Sequence, residues 1–108
     1  MYTGVSVDKF GVKHWYQCDA MHRIDGPAVE YPDGTKHWLQ NGKYHRTDGP
    51  AVELADGDKY WLQNGKLHRL DGPAIEWHYG AKSWWIEGTE CTEDEFALRS
   101  FLLRGQKG

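Results

Sequence analysis

The sequence predicts a mostly all-β chain: a single-layer antiparallel β-meander of about four 23-residue hairpin repeats, with a short C-terminal capping α-helix. Three observations predict it. The heptapeptide His-Arg-x-Asp-Gly-Pro-Ala occurs at 22–28, 45–51 and 68–74, at a spacing of 23 residues. The same period puts Gly11, Gly34, Gly57 and Gly80 in one register, and Trp15, Trp38, Trp61 and Trp84 in another. Finally, the segments around those tryptophans are short, aromatic and bounded by turn residues, which is the signature of strands.

The 108 residues are read as one domain, 1–108, with a degenerate N-terminal half-repeat at 1–11, hairpin repeats at 11–91 and the capping helix at 92–104. Val5 to Phe10 falls in the phase of Ala28 to Asp33 but matches it poorly, as the terminal copy of an array does. The strands are Lys13 to Gln17, Lys36 to Gln40, Lys59 to Gln63 and Lys82 to Ile86. Asn41-Gly42 and Asn64-Gly65 supply the positive φ angles of a two-residue type I′ turn, so the chain reverses there. It returns through Lys43 to Arg46 and Ala51 to Leu54. The Gly-Pro pair is expected to interrupt or bulge this return strand, because proline lacks a ladder donor. Asp33-Gly34 and Asp56-Gly57 reverse the chain again.

Alternation places Val29 with Tyr31, Val52 with Leu54, and Ile75 with Trp77 on one face, and Ala28 with Glu30 and their counterparts on the other. On the Trp strand, Lys36, Trp38 and Gln40 oppose His37 and Leu39; which of these faces join is left open. In the fourth copy Cys91 and Thr92 stand in the slots of the repeat His and Arg, and the array stops. Thr92-Glu93-Asp94-Glu95 is a capping box, and the apolar run Phe96, Leu98, Phe101, Leu102 and Leu103 predicts a helix whose apolar side folds back over the end of the sheet.

Composition limits the function classes. Six Trp and six Tyr against three Phe suit a thin sheet with half-wet faces. The formal charge of −3, with Lys and Arg dispersed, argues against nonspecific nucleic-acid binding. Met1 to Asp8 contains no basic region followed by a long apolar run, so no signal peptide, transmembrane helix or membrane partner is expected and the protein is read as cytoplasmic. In that compartment Cys18 and Cys91 are expected to be free thiols.

The hairpin unit, with its aromatic, Asn-Gly-Lys and Asp-Gly elements, resembles the MORN repeat. The His-Arg-x-Asp-Gly-Pro-Ala signature resembles the variant of it found in small proteins of bacteriophages and large DNA viruses. The likeness covers about residues 11–91 and implies architecture more than function. MORN-type arrays act mainly in protein and membrane association, and the phage relatives are accessory proteins. Here Arg-x-Asp-Gly-Pro-Ala replaces the glycine-spaced small residues of the ordinary pattern, so lipid binding is not carried over.

Two roles for the ladder of His22, His45, His68 and Arg23, Arg46, Arg69 follow from the residues. In the first, each Asp of the signature caps its turn and pairs with an Arg of the same or a neighbouring repeat, locking the array. In the second, Arg23, Arg46 and Arg69 beside Trp38 and Trp61 form an anion-and-aromatic groove for a nucleotide-like ligand. His14, Cys18 and His22 would share a metal-binding face only if the chain stayed extended where the repeat demands a turn, so no metal is assigned. No cofactor and no nucleophile elbow, phosphate loop or zinc pair is indicated, and Glu30, Glu53 and Glu76 are read as a solvated row, not a catalytic one. Trp15, Trp38, Trp61 and Trp84 are expected to form a stacking spine. Trp77 and Trp85, with His78 and Tyr79, either pack under the terminal helix or anchor an interface.

The resulting expectation is a non-enzymatic binding protein. The resemblance adds a phage or viral origin and a counter-defence role, with a host protein such as a CRISPR effector as the blocked target. The alternatives are a sponge for a nucleotide-derived immune signal and a structural scaffold component, and homodimerisation through an open sheet edge or apolar face is compatible with each.

Overall fold

In a computed structural model, which describes residues 3–105, every Trp strand is shared between two rows of pairing. Met1 and Tyr2, the start of the expected half-repeat, lie outside the described residues. The strands are β1 (Gly4–Val7), β2 (Lys13–Gln17), β3 (Ala20–Met21), β4 (Val29–Glu30), β5 (Lys36–His37), β6 (Leu39–Gln40) and β7 (Lys43–Tyr44). They continue as β8 (Val52–Glu53), β9 (Lys59–Tyr60), β10 (Leu62–Gln63), β11 (Lys66–Leu67), β12 (Ile75–Glu76), β13 (Lys82–Ile86) and β14 (Thr89–Cys91), followed by helix α1 (Glu93–Gly105). The antiparallel sheet has the order β1-β2-β4-β5-β8-β9-β12-β13-β14, with β3 also on β2. This is the meander the repeat predicts, and among the described residues it does not close into a barrel.

The difference from one continuous ribbon is at the tryptophan. β6-β7 and β10-β11 are separate two-stranded ribbons, because the half of the Trp strand after Trp38 or Trp61 pairs only with its own Asn-Gly return. The physical reason is the Pro-Ala step. Trp15, Trp38 and Trp61 donate their amides to the carbonyls of Ala28, Ala51 and Ala74, each at 2.7 Å. The next residue back on the return strand is proline, which has no N–H to continue the ladder. The hairpin ends therefore leave the sheet and bond to one another: Gly42 N–H reaches Met21 O at 2.9 Å, and Gly65 N–H reaches Tyr44 O at 2.8 Å.

Two rows meeting at a corner explain the burial. Ala28, Ala51 and Ala74 are fully buried, and their neighbours Val29, Val52 and Ile75 are buried too, where strict alternation predicted opposite faces. The corner admits only a methyl group beside the larger apolar chain. One core cluster joins Val12, Ala28, Val29 and Leu39 with Met21 and Tyr44 against it. Across the long sheet Lys13, Glu30, Lys36, Glu53, Lys59, Glu76 and Lys82 face one another in alternating sign, each opposite-charge pair adding a few tenths of a kcal/mol. The molecule is a slab of 46 × 33 × 19 Å, so its core is necessarily thin.

The Asn-Gly turns take the expected conformation, with φ of 52° and 77° at Asn41 and Gly42. The capping box forms as read: Glu95 N–H donates to Thr92 Oγ1 at 3.1 Å and Thr92 N–H to Glu95 Oε1 at 2.8 Å. The helix, however, turns only part of its apolar surface inward. Phe96 and Ser100 are buried, one turn apart, while Leu98, Phe101 and Leu102 lie 62%, 67% and 53% exposed. Phe96 joins Ile86, Cys91, Leu70 and Trp84 in the second core cluster, and Ser100 is the small residue buried on the same side of the helix. Phe96→Ala is expected to destabilise the fold by about 3 kcal/mol and to expose Trp84, read as a lower melting temperature and stronger quenching of tryptophan fluorescence by acrylamide.

Candidate functional site

The three signatures build one arrangement three times. Arg23, Arg46 and Arg69 lay their guanidinium groups on Trp15, Trp38 and Trp61, with the guanidinium carbon 4.1, 3.9 and 3.8 Å from the ring centroid. In each, Nε donates to the Asp two residues on, at 3.0, 3.0 and 2.7 Å for Asp25, Asp48 and Asp71. Nη1 donates both to the proline carbonyl of the signature and to the glutamate of the return strand, Glu30, Glu53 or Glu76, at 3.3, 3.1 and 2.9 Å for the glutamates. The glutamates are thus not a free solvated row; the recurring seven-residue interval between Arg and Glu was the signal for this pairing. The Arg23 guanidinium, by hydrogen bond and then by charge, holds Asp25 below the usual carboxylate range, and Arg69 does the same for Asp71.

This stack explains the glycine of the signature. A Cβ on Gly49 would come within 2.6 Å of Arg46 Cζ, and on Gly26 or Gly72 within 2.8 Å of the local guanidinium. Only a bare Cα leaves the guanidinium room between the loop and the indole. The tryptophan spine is accordingly a row of Trp-Arg pairs and not of indoles upon one another.

The histidines do a different job, which periodicity alone did not reveal. His22, His45 and His68 accept at Nδ1 the amides of Asn41, Asn64 and Glu87 in the following hairpin, at 2.9, 3.0 and 2.9 Å. An amide can only donate, so each Nδ1 is unprotonated here. Arginine therefore braces its own unit, and histidine fastens that unit to the next.

Between successive signature loops lie repeated clefts. The first, about 500 Å³, is walled by Ile24, Asp25, Trp38, His45, Arg46 and Asp48. The second, about 280 Å³, includes Thr47, Trp61, Arg69 and Asp71, with Arg104 of α1 on its rim. The structure thus brings Arg23, Arg46, Arg69, Trp38 and Trp61 into one series, as an anion-and-aromatic groove would require. It spends them on each other: guanidinium covers the indole face a base would stack on, and Asp25 and Asp48 stand where a phosphate would approach.

The candidate interface residues divide. Trp77 stacks on Tyr79 at 6.3 Å between centroids and His78 meets Tyr79 edge-on at 5.4 Å, in the turn after β12. Tyr79 is well exposed. Trp85 is on β13, where its indole N–H donates to Ser83 at 2.8 Å. Trp84 and Ile86, on the other face of that strand, are the residues packed beneath the helix. In the same turn as Trp77 and Tyr79, His78 Nδ1 lies 2.7 Å from Asp58 Oδ1 and 3.5 Å from Asp56 Oδ2. The backbone and ring N–H groups of His78 hold Asp58 below the usual carboxylate range, and the bond to Asp58 raises His78. Cys18 is exposed, Cys91 is buried, and both are free.

Fold and ladder together define an antiparallel β-hairpin repeat protein with a helical end. No protein-family model, curated protein or solved structure matches the chain. No helix among the described residues is long and apolar enough to cross a membrane.

Arg46→Ala should lower stability by about 2 kcal/mol, roughly 10 °C in melting temperature, and affect that more than any binding. Gly49→Ala should cost about 1 to 2 kcal/mol by evicting Arg46, yet almost nothing in an Arg46→Ala background, a coupling that a double-mutant cycle in urea measures. The acid side tests the ion pairs. Asp71 has a depressed folded-state pKa, so its contribution is complete above the unfolded value of about 3.9 and disappears as pH falls through the folded one. Asp71→Asn should therefore lower the melting temperature by no more than about 5 °C at pH 7, with the gap from wild type closing in strong acid.

Proposed function

We propose that the chain is a non-catalytic protein-binding module that engages a partner protein through the outer face of α1. The observation that carries this reading is the stripe Leu98, Phe101 and Leu102, whose i, i+3, i+4 spacing forms one contiguous apolar strip on the side of the helix opposite buried Phe96 and Ser100. Capping the sheet does not require these three residues. The first turn adds Glu93, Asp94 and Glu95 at one end of the strip. The complementary partner surface is an apolar groove with cationic residues at the margin that meets this turn.

The resemblance to the MORN repeat, in its viral variant, supports placing this module among phage or viral accessory proteins. In that setting the partner is a host protein and the effect is inhibition, with counter-defence as the role. The ladder favours this over a nucleotide sponge, because each guanidinium already covers an indole face and is bound by two carboxylates.

Leu98→Ser, Phe101→Ser and Leu102→Ser combined should leave the melting temperature within a few degrees of wild type, since exposed positions contribute little. Sedimentation and pull-down then decide. The reading expects a wild-type monomer, plus a host protein captured at fixed stoichiometry, reconstituted from pure components and lost in the triple variant. A wild-type dimer abolished by the variant would make the face a self-interface instead. Capture that persists in the variant but is lost in Trp77→Ala/Tyr79→Ala would move the interface to the turn after β12.

A further inference from the structure

We propose that Asp56, Asp58 and His78 form a binding site for a divalent transition-metal ion of the zinc class. One ligand atom from each residue lies within 4.8 Å of the others. Two carboxylates and one imidazole are a donor set that zinc accepts in sites keeping a fourth position for water. Bonds of about 2.0 to 2.2 Å at near-tetrahedral angles put donors about 3.3 Å apart. The distances from His78 Nδ1 to Asp58 Oδ1 and Asp56 Oδ2, 2.7 and 3.5 Å, bracket that separation. Binding releases to solvent the Nδ1 proton that His78 shares with Asp58, and the dipositive ion then balances the two carboxylates.

The array contains its own control. One unit earlier the same three slots hold Asp33, Thr35 and Ala55. There Thr35 Oγ1 accepts the Ala55 amide at 3.1 Å, as Asp58 Oδ1 accepts the His78 amide at 2.7 Å. Asp33 Oδ1 accepts the Thr35 amide at 2.9 Å, as Asp56 Oδ1 accepts that of Asp58 at 3.0 Å. The architecture is thus satisfied by a hydroxyl and a methyl. At the later copy both are exchanged together, for a carboxylate and an imidazole that converge on one point.

The Asp58 side chain is only 12% exposed, so its carboxylate is held in one place by the His78 backbone and ring nitrogens, each at 2.7 Å from Oδ1. The two turns also press closer here than in the earlier unit. A Cβ on Gly57, whose φ is +104°, would lie 3.2 Å from His78 Cβ, whereas nothing lies within 4 Å of the same point on Gly34. Asp56 and His78 remain about half exposed, leaving a path for the ion and for water on its open side. The bound ion would pin the turn that displays Trp77 and Tyr79. This inference is independent of the helix-face reading.

The test is calorimetric titration of Zn²⁺ into the untagged full chain after chelator treatment, with thermal denaturation in zinc and in chelator. Wild type is expected to take up one Zn²⁺ per chain and to melt higher with zinc than without. Asp58→Thr/His78→Ala reproduces the residues of the preceding unit, so it should fold, and it should lose both the uptake and the zinc-dependent shift. Asp56→Asn/His78→Gln, closer in shape, gives the same answer should the first variant be unstable. No saturable uptake by wild type, or equal uptake by a folded variant, overturns the site.

Discussion

The position of one guanidinium per repeat is the constraint on which the array depends. Each is held by an indole, two carboxylates and a proline carbonyl, and together these span the corner between the long sheet and the hairpin row. A slab of this thinness buries few large side chains: the corner positions are alanines, and the largest buried cluster members are Leu39, Ile86 and Phe96, with Trp84 and Tyr44 only partly covered. What apolar burial supplies in thicker folds is here divided with partly buried charge-assisted bonds and cation–π contact. Arginine suits the position because its planar fork stacks and donates simultaneously, which an ammonium group cannot do.

The two ends show the same requirement met by other chemistry. In the first hairpin Thr3 Oγ1 accepts the Cys18 amide at 3.1 Å, the role a histidine Nδ1 takes in the later ones. At the other end Trp84 has no arginine, since Thr92 occupies that slot. Phe96 of α1 approaches its ring instead, at 6.5 Å between centroids. The helix is therefore a replacement for a missing guanidinium before it is anything else. This accounts for why it contributes so narrow a face to the core, with one aromatic residue and a serine inward and three large apolar residues outward.

Much of the fold was legible because it repeats. The period located the strands, Asn-Gly and Asp-Gly located the reversals, and Thr92 with Glu95 located the start of the helix. The hairpin row departing from the sheet was not legible, although Pro27, Pro50 and Pro73 carried the cause. Alternation assigns faces on the assumption of one flat sheet, and the corner at Ala28 breaks that assumption by burying adjacent residues. The partners of the ladder were half visible. Arg with Asp could be paired from proximity, but the histidine bond joins residues 19 apart across two units, as in His45 to Asn64, and depends on a register that only the packed hairpins define. The helix pattern named the apolar residues correctly and overestimated how many the sheet would cover.

A repeat that recurs to satisfy itself leaves recognition to the residues that depart from it. The guanidinium groups, the Asp and Glu carboxylates and the His Nδ1 atoms of the ladder are bound by partners that one unit supplies to itself or to its neighbour, and a ligand in the clefts would have to break those bonds to form its own. Three features without counterparts elsewhere in the array are His78 facing Asp58, Trp77 beside Tyr79, and the outer face of α1. These three lie in the second half of the chain, and none is needed to brace a unit. An array built on identical struts gains a specific surface only where the period is broken, and on this chain three such breaks lie toward the end where the helix replaces the last strut.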